Sequence, residues 1–250
     1  MKTYVINMKK DILKRQNILS QLEKQPALDF EIVEACEGKL LAETDLKELG
    51  YPIFKEKYKQ MGTLPAFGCS ISHYSVYNRI VDNNLDYALI LEDDAILSPE
   101  LSENLKQIEI YLKELSDPAI ILLTPDFIYS IKETPLLLFD KFKLMSLWQG
   151  YMATGYIVNK FAALLLKDRL FPIRYFADEW GVFKKFGLKI QGVIPHLVSY
   201  SGELGEIGTS QLRQDESIFI RFRHFLGRLK AKLYEVNRER DGYRRSKRIW

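Results

Sequence analysis

Apolar positions along the chain fall into short continuous runs separated by stretches in which they recur every three or four residues. Residues 3–8 are a run of strand formers closed by Lys9 and Lys10, and residues 30–33 form a second. Between them Ile12, Ile18, Leu19 and Leu22 keep helical spacing, with Asp11 in an N-cap position and Pro26 ending the pattern. Strand, helix, strand is the opening of a parallel α/β sheet. A helix is expected over 40–49, closed by Gly50 and Pro52, followed by an irregular charged and aromatic stretch to Gly62. Pro65 and Gly68 precede a helix from about Cys69 whose packed stripe is Ile71, Tyr74, Ser75, Asn78 and Val81. Residues 87–91 are the most continuous apolar run, which suits a central strand buried on both faces.

Pro99 opens a further helix to about Leu115, and strands are expected at 119–123, 156–158 and 188–193, with a helix at 160–165. Residues 128–145, with Pro135 inside, fit a hairpin or a substrate-side loop. The predicted class is therefore α/β, with a mostly parallel, Rossmann-type sheet flanked by helices.

At 250 residues, 47% hydrophobic and 28% charged, the chain can bury a sizeable core, which excludes a disordered or fibrous protein. The two cysteines, Cys36 and Cys69, make no CxxC pair, and a reducing compartment is the simpler reading. The apolar run before Lys9 is too short for a secretory segment, and no stretch approaches the roughly 18 apolar residues of a spanning helix.

The net charge of +3 hides an asymmetry. Residues 221–250 hold eleven basic and three acidic residues, a net +8, which leaves −5 on residues 1–220. The main body is thus no nucleic-acid platform. Phe219, Phe222, Leu226, Leu229 and Leu233 form one helical stripe among arginines and lysines, a pattern suited to an anionic membrane surface or to packing on the domain. The expected division is a catalytic domain at 1–215 and a basic amphipathic C-terminal helix within 216–250.

Glu92, Asp93 and Asp94 follow the central strand at once. In open α/β sheets ligands gather beyond the carboxyl ends of the strands. Extended backbone points Glu92 and Asp94 to one side and Asp93 to the other. Carboxylates so close repel and raise one another's pKa unless a cation compensates, and a hard divalent ion, Mn²⁺ or Mg²⁺, that also touches a diphosphate is the natural one. Such an ion neutralises charge on a departing nucleoside diphosphate. An acidic turn capping the next helix is the plain alternative.

The segments YVINMKKDILKR at the start, GCSISH at 68–73, YALILEDDAIL at 87–97 and GYIVNKFAALLL at 155–166 resemble glycosyltransferase family 25, the bacterial lipooligosaccharide and lipopolysaccharide biosynthesis transferases. The resemblance spans roughly residues 1–200. It implies a GT-A-like nucleotide-binding domain and an inverting transfer of galactose from UDP-galactose, or of glucose from UDP-glucose, onto a glycolipid oligosaccharide. It also implies that the fold's acidic motif falls on Glu92, Asp93 and Asp94, with Asp94 as a direct metal ligand. The family pattern often has proline where His196 stands.

Asn7 and Arg15 are placed to contact the uridine and the diphosphate, although Lys14 adjoins Arg15 and a solvated helix face would look the same. Ser72 and His73 are expected on the donor side, a role for His73 that the resemblance favours over a core histidine. Asp178 and Glu179, beside Tyr175, Phe176 and Trp180, form a second acidic centre. An inverting reaction needs one base on the acceptor side, so Asp178 is expected to serve, with Glu179 competing and helix capping as the dull reading. His196, after the last strand, is a candidate third metal ligand. Gly202, Gly205 and Gly208 mark a segment suited to closing over a donor, but they are no dinucleotide fingerprint.

The expected enzyme is thus a metal-dependent hexosyltransferase on the inner face of the cytoplasmic membrane. A nucleotidyltransferase is the competing enzymatic reading. A basic binding module would leave both acidic centres unused.

Overall fold

The computed structural model describes residues 1–200 and 242–246. β1 (Lys2–Asn7), α1 (Ile12–Leu22) and β2 (Asp29–Glu34) form the expected opening unit, with β1 and β2 parallel. α2 (Glu43–Leu49) stops where Gly50 takes a φ of 102°, and α3 (Tyr51–Tyr58) restarts at once in the stretch expected to be irregular. Pro52 lies in the first turn of α3, where a missing N–H costs nothing.

α4 (Leu64–Asp82) begins five residues before the expected start. Thr63 caps it by accepting from the Ala66 N–H at 3.4 Å, with Pro65 in the first turn. Its buried face carries Phe67, Ser72, His73, Val76, Tyr77 and Ile80, while the expected stripe of Ile71, Tyr74, Ser75, Asn78 and Val81 is only half-buried. Apolar periodicity missed this face because two of its central positions, Ser72 and His73, are polar.

β3 (Tyr87–Glu92), β4 (Ala95–Leu97), α5 (Leu101–Lys113), β5 (Ala119–Leu122) and β6 (Phe127–Ser130) follow. Then come β7 (Leu136–Leu137), β8 (Lys143–Gly150), β9 (Gly155–Asn159), α6 (Lys160–Leu170), α7 (Trp180–Lys185), β10 (Lys189–Ile194), β11 (Val198–Tyr200) and β12 (Tyr243–Arg245). The main sheet runs β12-β6-β8-β10-β5-β9-β3-β1-β2, with β7 on β8 and a separate β4–β11 pair.

This sheet is mixed, which corrects the mostly parallel, Rossmann-type expectation. β1 is parallel to β2 and β3, and β5 to β10, but β9 lies antiparallel between β3 and β5. β6, β7, β8 and β12 add only antiparallel pairings, so residues 128–145 belong largely to hairpins. All five residues of β9 are buried, and a strand covered on both faces reads as one apolar run whatever its direction.

Side-chain alternation splits the core between two layers of helices. Tyr4, Ile6, Ile90, Tyr156 and Val158 pack with α4, α6 and α7; Val5, Leu89, Leu91, Ile121 and Ile157 pack with α1 and α5. The stripe at 219–233 and Gly202, Gly205 and Gly208 lie outside the described residues. Of the C-terminal segment, residues 242–246 are described, and they place β12 against β6 with Tyr243 opposite Ser130. Among the described residues no helix is long and apolar enough to cross a membrane.

Candidate active site

Glu92 is the last residue of β3, in register with Ile6 of β1. It shares a face with Ile90, so its side chain turns toward α4, where Oε1 lies 3.0 Å from Nε2 of His73 and Oε2 accepts from Thr154 Oγ1 at 3.3 Å. His73 is 1% exposed. Its Nδ1 meets Tyr156 Oη at 2.8 Å, and that hydroxyl meets Tyr77 Oη at 2.8 Å. A buried polar line therefore runs from Tyr77 through Tyr156 and His73 to the acidic strand end.

Asp93 turns the other way, as strand alternation requires. Asn7 Nδ2 donates to its Oδ2 at 2.8 Å, and Lys14 Nζ stands 3.7 Å from Oδ1. Burial raises the Asp93 pKa, and the Asn7 bond and Lys14 draw it partly back. Asp94 has a buried Oδ1 without a hydrogen-bond partner, and its pKa is pushed up to about 6 by burial first, then by the charges of Glu92 and Asp93.

The three acids border a cleft of about 260 Å³, together with Met8, Lys14, Cys36, Glu37 and Cys69. The loop after β2 closes one wall by lying directly on α4. Ser72 Oγ accepts from Cys36 N at 2.8 Å and donates to Gly68 O at 2.7 Å. A Cβ on Gly68 would stand 2.4 Å from Cys36 O, and one on Gly38 2.0 Å from Leu64 O. These two glycines allow the backbones to touch, which explains why position 68, inside the helix, is a glycine.

Beyond β9 lies the second acidic centre. Asp178 Oδ2 accepts from Met152 N at 3.2 Å. Its pKa is raised mainly by burial and further by Glu92 and Glu179, while the Met152 bond opposes the rise. Burial also raises the Cys69 thiol well above its usual range, and the charges of Glu92, Asp178 and Asp94 add to this, so one sulfur senses both acidic centres. Glu179 is otherwise engaged: its Oε1 accepts from Tyr58 Oη at 2.7 Å, and the Tyr58 ring lies 3.8 Å from that of Phe176.

Among the described residues, Cys69, His73 and Glu92 form the group of three His, Cys, Asp or Glu whose ligand atoms lie within 4.8 Å of one another, a potential metal-binding cluster. The expected trio of Glu92, Asp94 and His196 does not form such a group. His196, 2% exposed, is not among the residues that line the cleft; its neighbour Leu197 donates to Leu123 O (2.9 Å) and accepts from Ser98 N (2.9 Å). Arg15 is exposed; the adjacent Lys14 lines the cleft instead. Asn7 holds Asp93 and is not part of the cleft lining, and Ser72 holds the Cys36 loop.

Sequence reasoning did not single out Cys69, Lys14, Thr154 or Tyr156. Cys69 had a visible signal, since it precedes His73 by four residues and so shares its helix face. Tyr156 had a weaker one, a phenol inside a run that otherwise reads as core.

A mixed α/β sheet that opens at its strand ends onto an acid-lined cleft is the architecture of an enzyme that acts on a bound ligand. The model of Glycosyltransferase family 25 (LPS biosynthesis protein) matches residues 1–180, and the chain belongs to that family, a glycosyltransferase-type enzyme. Procollagen galactosyltransferase 2 of Homo sapiens is 23% identical over 240 residues, 86% of this chain and 38% of that protein. Its Mus musculus counterpart is 24% identical over 246 residues, with the same coverage. The chain thus spans about two fifths of the length of these curated relatives. A crystal structure of a glycosyltransferase involved in the glycosylation of the major capsid of PBCV-1 matches 81% of this chain and 93% of its own, with 13% identity and a TM-score of 0.41.

Proposed function

We propose that the protein transfers a hexose, galactose from UDP-galactose, with inversion onto the oligosaccharide of a bacterial glycolipid. The observation that carries this reading is the partnerless buried Oδ1 of Asp94 beside Glu92 and Asp93 in one cleft. Three crowded acids, one with its proton affinity raised to about pH 6, fit a cation that offsets their charge. Glu92 and Asp94 would hold Mn²⁺ or Mg²⁺, and the ion when bound supplies neutralisation of the departing UDP. His196 is left out of this set.

Asn7 keeps Asp93 in place, and Lys14, beside Asp93, offers the cation for the diphosphate that Arg15 was expected to supply. The Tyr156–His73 line fixes the Glu92 carboxylate from behind. Asp178 receives the proton of the acceptor hydroxyl as its oxygen bonds to the sugar C1 and the C1–phosphate oxygen bond breaks. Its raised proton affinity suits a base working near neutral pH, whereas Glu179 already accepts from Tyr58.

Galactose is favoured by the names of the relatives, and the glycolipid acceptor by the family's description. UDP-glucose is the second donor reading, and a metal-dependent nucleotidyltransferase the competing class. The basic residues of 221–250 supply the attraction to the anionic inner face of the membrane. A panel of UDP- and GDP-sugars with a glycolipid acceptor, scored by nucleotide release with Mn²⁺ and after chelation, tests the reading. UDP release from UDP-galactose that needs the metal and the acceptor supports it. Metal-independent release, or pyrophosphate release from a nucleoside triphosphate, overturns it.

A further inference from the structure

We propose that Cys69, His73 and Glu92 form a binding site for a thiophilic divalent ion, Zn²⁺ in particular, chemically distinct from the all-oxygen set suited to Mn²⁺ or Mg²⁺. Cys69 and His73 stand one turn apart on α4 and project from the same side, and Glu92 meets them from the end of β3. Their three donor atoms lie within 4.8 Å of one another, and the nitrogen and oxygen are already 3.0 Å apart. A tetrahedral ion with bonds of about 2.0–2.3 Å sets its donors roughly 3.3–3.8 Å apart, so the sulfur has to approach by about 1.5 Å at most.

The imidazole is oriented as a ligand. Nδ1 is taken up by Tyr156 Oη, itself on Tyr77 Oη, which leaves Nε2 directed at Glu92 and the cleft. Such an outer partner on the second ring nitrogen is the usual support of a metal-bound histidine, and the Tyr156 hydroxyl can accept the Nδ1 proton when Nε2 gives its lone pair to the ion. Thr154 Oγ1 supports the other Glu92 oxygen in the same way.

The donor set decides which ion enters. Thiolate and imidazole favour Zn²⁺ or Co²⁺ over Mg²⁺ and Mn²⁺, which prefer oxygen. Coordination exchanges the thiol proton, released to solvent, for the metal–sulfur bond, so the dication with one thiolate and one carboxylate is neutral. All three residues line the cleft, which provides the entry path and leaves the fourth position to water or a ligand oxygen. Glu92 belongs to this site and also to the oxygen set proposed for the transfer reaction. Zn²⁺ therefore competes with the activating ion for one carboxylate, and this inhibitory consequence alone rests on the transfer reading.

The test uses the full chain, stripped with chelator and titrated with Co²⁺. One equivalent is expected to produce a near-ultraviolet thiolate-to-cobalt charge-transfer band, which Zn²⁺ abolishes by displacement. Cys69→Ser should remove the band and weaken Zn²⁺ at least tenfold in competition with a chromophoric chelator, whereas Cys36→Ser should keep both. Glu92→Gln should likewise weaken Zn²⁺ about tenfold or more, and serves where Cys69→Ser fails to fold. A parent protein without the band, a band that survives in Cys69→Ser, or Zn²⁺ affinity unchanged in Glu92→Gln would reduce the cluster to a hydrogen-bonded His–Glu pair beside a thiol and overturn the proposal. The spectrum requires no turnover, so failure of the transfer reading leaves this outcome readable, and a negative spectrum leaves metal-dependent transfer standing.

Discussion

Nε2 of His73 and Oε1 of Glu92 stand 3.0 Å apart, and this contact joins α4 to the end of β3 at the point where the sheet opens. Behind it the Tyr156 and Tyr77 hydroxyls are buried and hydrogen-bonded, and in front of it lies the cleft. The carboxylate that ends the strand is consequently set in direction by the buried Tyr77–Tyr156 pair acting through His73 on one oxygen and by Thr154 on the other.

Tyr156→Phe tests that line. The hydroxyl lies between His73 Nδ1 and Tyr77 Oη in a fully buried site, so its removal leaves two groups short of a partner. The expected loss is about 1–3 kcal/mol of unfolding free energy, measured by denaturant titration. Adding Tyr77→Phe to this variant removes one of the two orphaned groups. The double variant should therefore lose less than the sum of the singles, and simple additivity would show that the tyrosines do not act as one network.

Asp94→Asn tests the uncompensated charge. The folded-state pKa of Asp94, about 6, lies above that of an ordinary carboxyl, so between about pH 4 and 6 the folded protein binds more protons than the unfolded chain. The sign follows: in chelator, this group makes stability fall as pH rises through that window. Asp93 and Asp178 act in the same direction. The variant should thus show a shallower decline of Tm over pH 4–6, and Mn²⁺ should raise the parent's Tm at pH 7 more than the variant's. An identical pH slope in both proteins would remove Asp94 from the account.

Much of this was legible in the chain itself. β1, α1, β3 and α5 follow from apolar runs and spacing, and the acids after residue 91, which follow a buried strand so abruptly, do line a cleft. The direction of β9 was not legible, since burial on both faces erases the alternation that distinguishes strand environments. Nor was the choice of Lys14 over Arg15. Adjacent helical residues point about 100° apart, and apolar positions alone do not fix a helix's rotation that finely. The buried face of α4 was misread for a related reason: Ser72 and His73 are buried by hydrogen bonds, which hydropathy does not register.

Gly68→Ala probes the wall of the cleft. The added methyl would meet Cys36 O at 2.4 Å and Gly38 N at 2.6 Å, both backbone atoms that cannot rotate away. The loop after β2 must shift from α4, at a cost of roughly 1–3 kcal/mol. Because that loop carries Cys36 and Glu37 into the cleft, donor KM is expected to rise severalfold with a smaller change in kcat. Thermal melts and donor saturation curves check the two effects separately.

Asp178→Asn bears on the chemical step itself. The substitution keeps an acceptor oxygen for the Met152 N–H, so the fold around residues 151–154 should survive with a near-parent Tm. A base positioned on the reacting hydroxyl contributes on the order of 10²–10⁴ in rate, and kcat should fall by that factor with donor KM little changed. The raised proton affinity of Asp178 predicts the form of the pH profile: the parent's rate rises with pH through a pKa above the ordinary carboxylate range, and the residual rate of Asp178→Asn lacks that limb. Glu179→Gln separates the two neighbours. Its carboxylate already accepts from Tyr58, so the variant should stay within about tenfold of parent turnover while losing roughly 1 kcal/mol of stability. Should Glu179→Gln abolish transfer and Asp178→Asn spare it, the acceptor proton goes to Glu179, and the Tyr58 contact would have to open on acceptor binding.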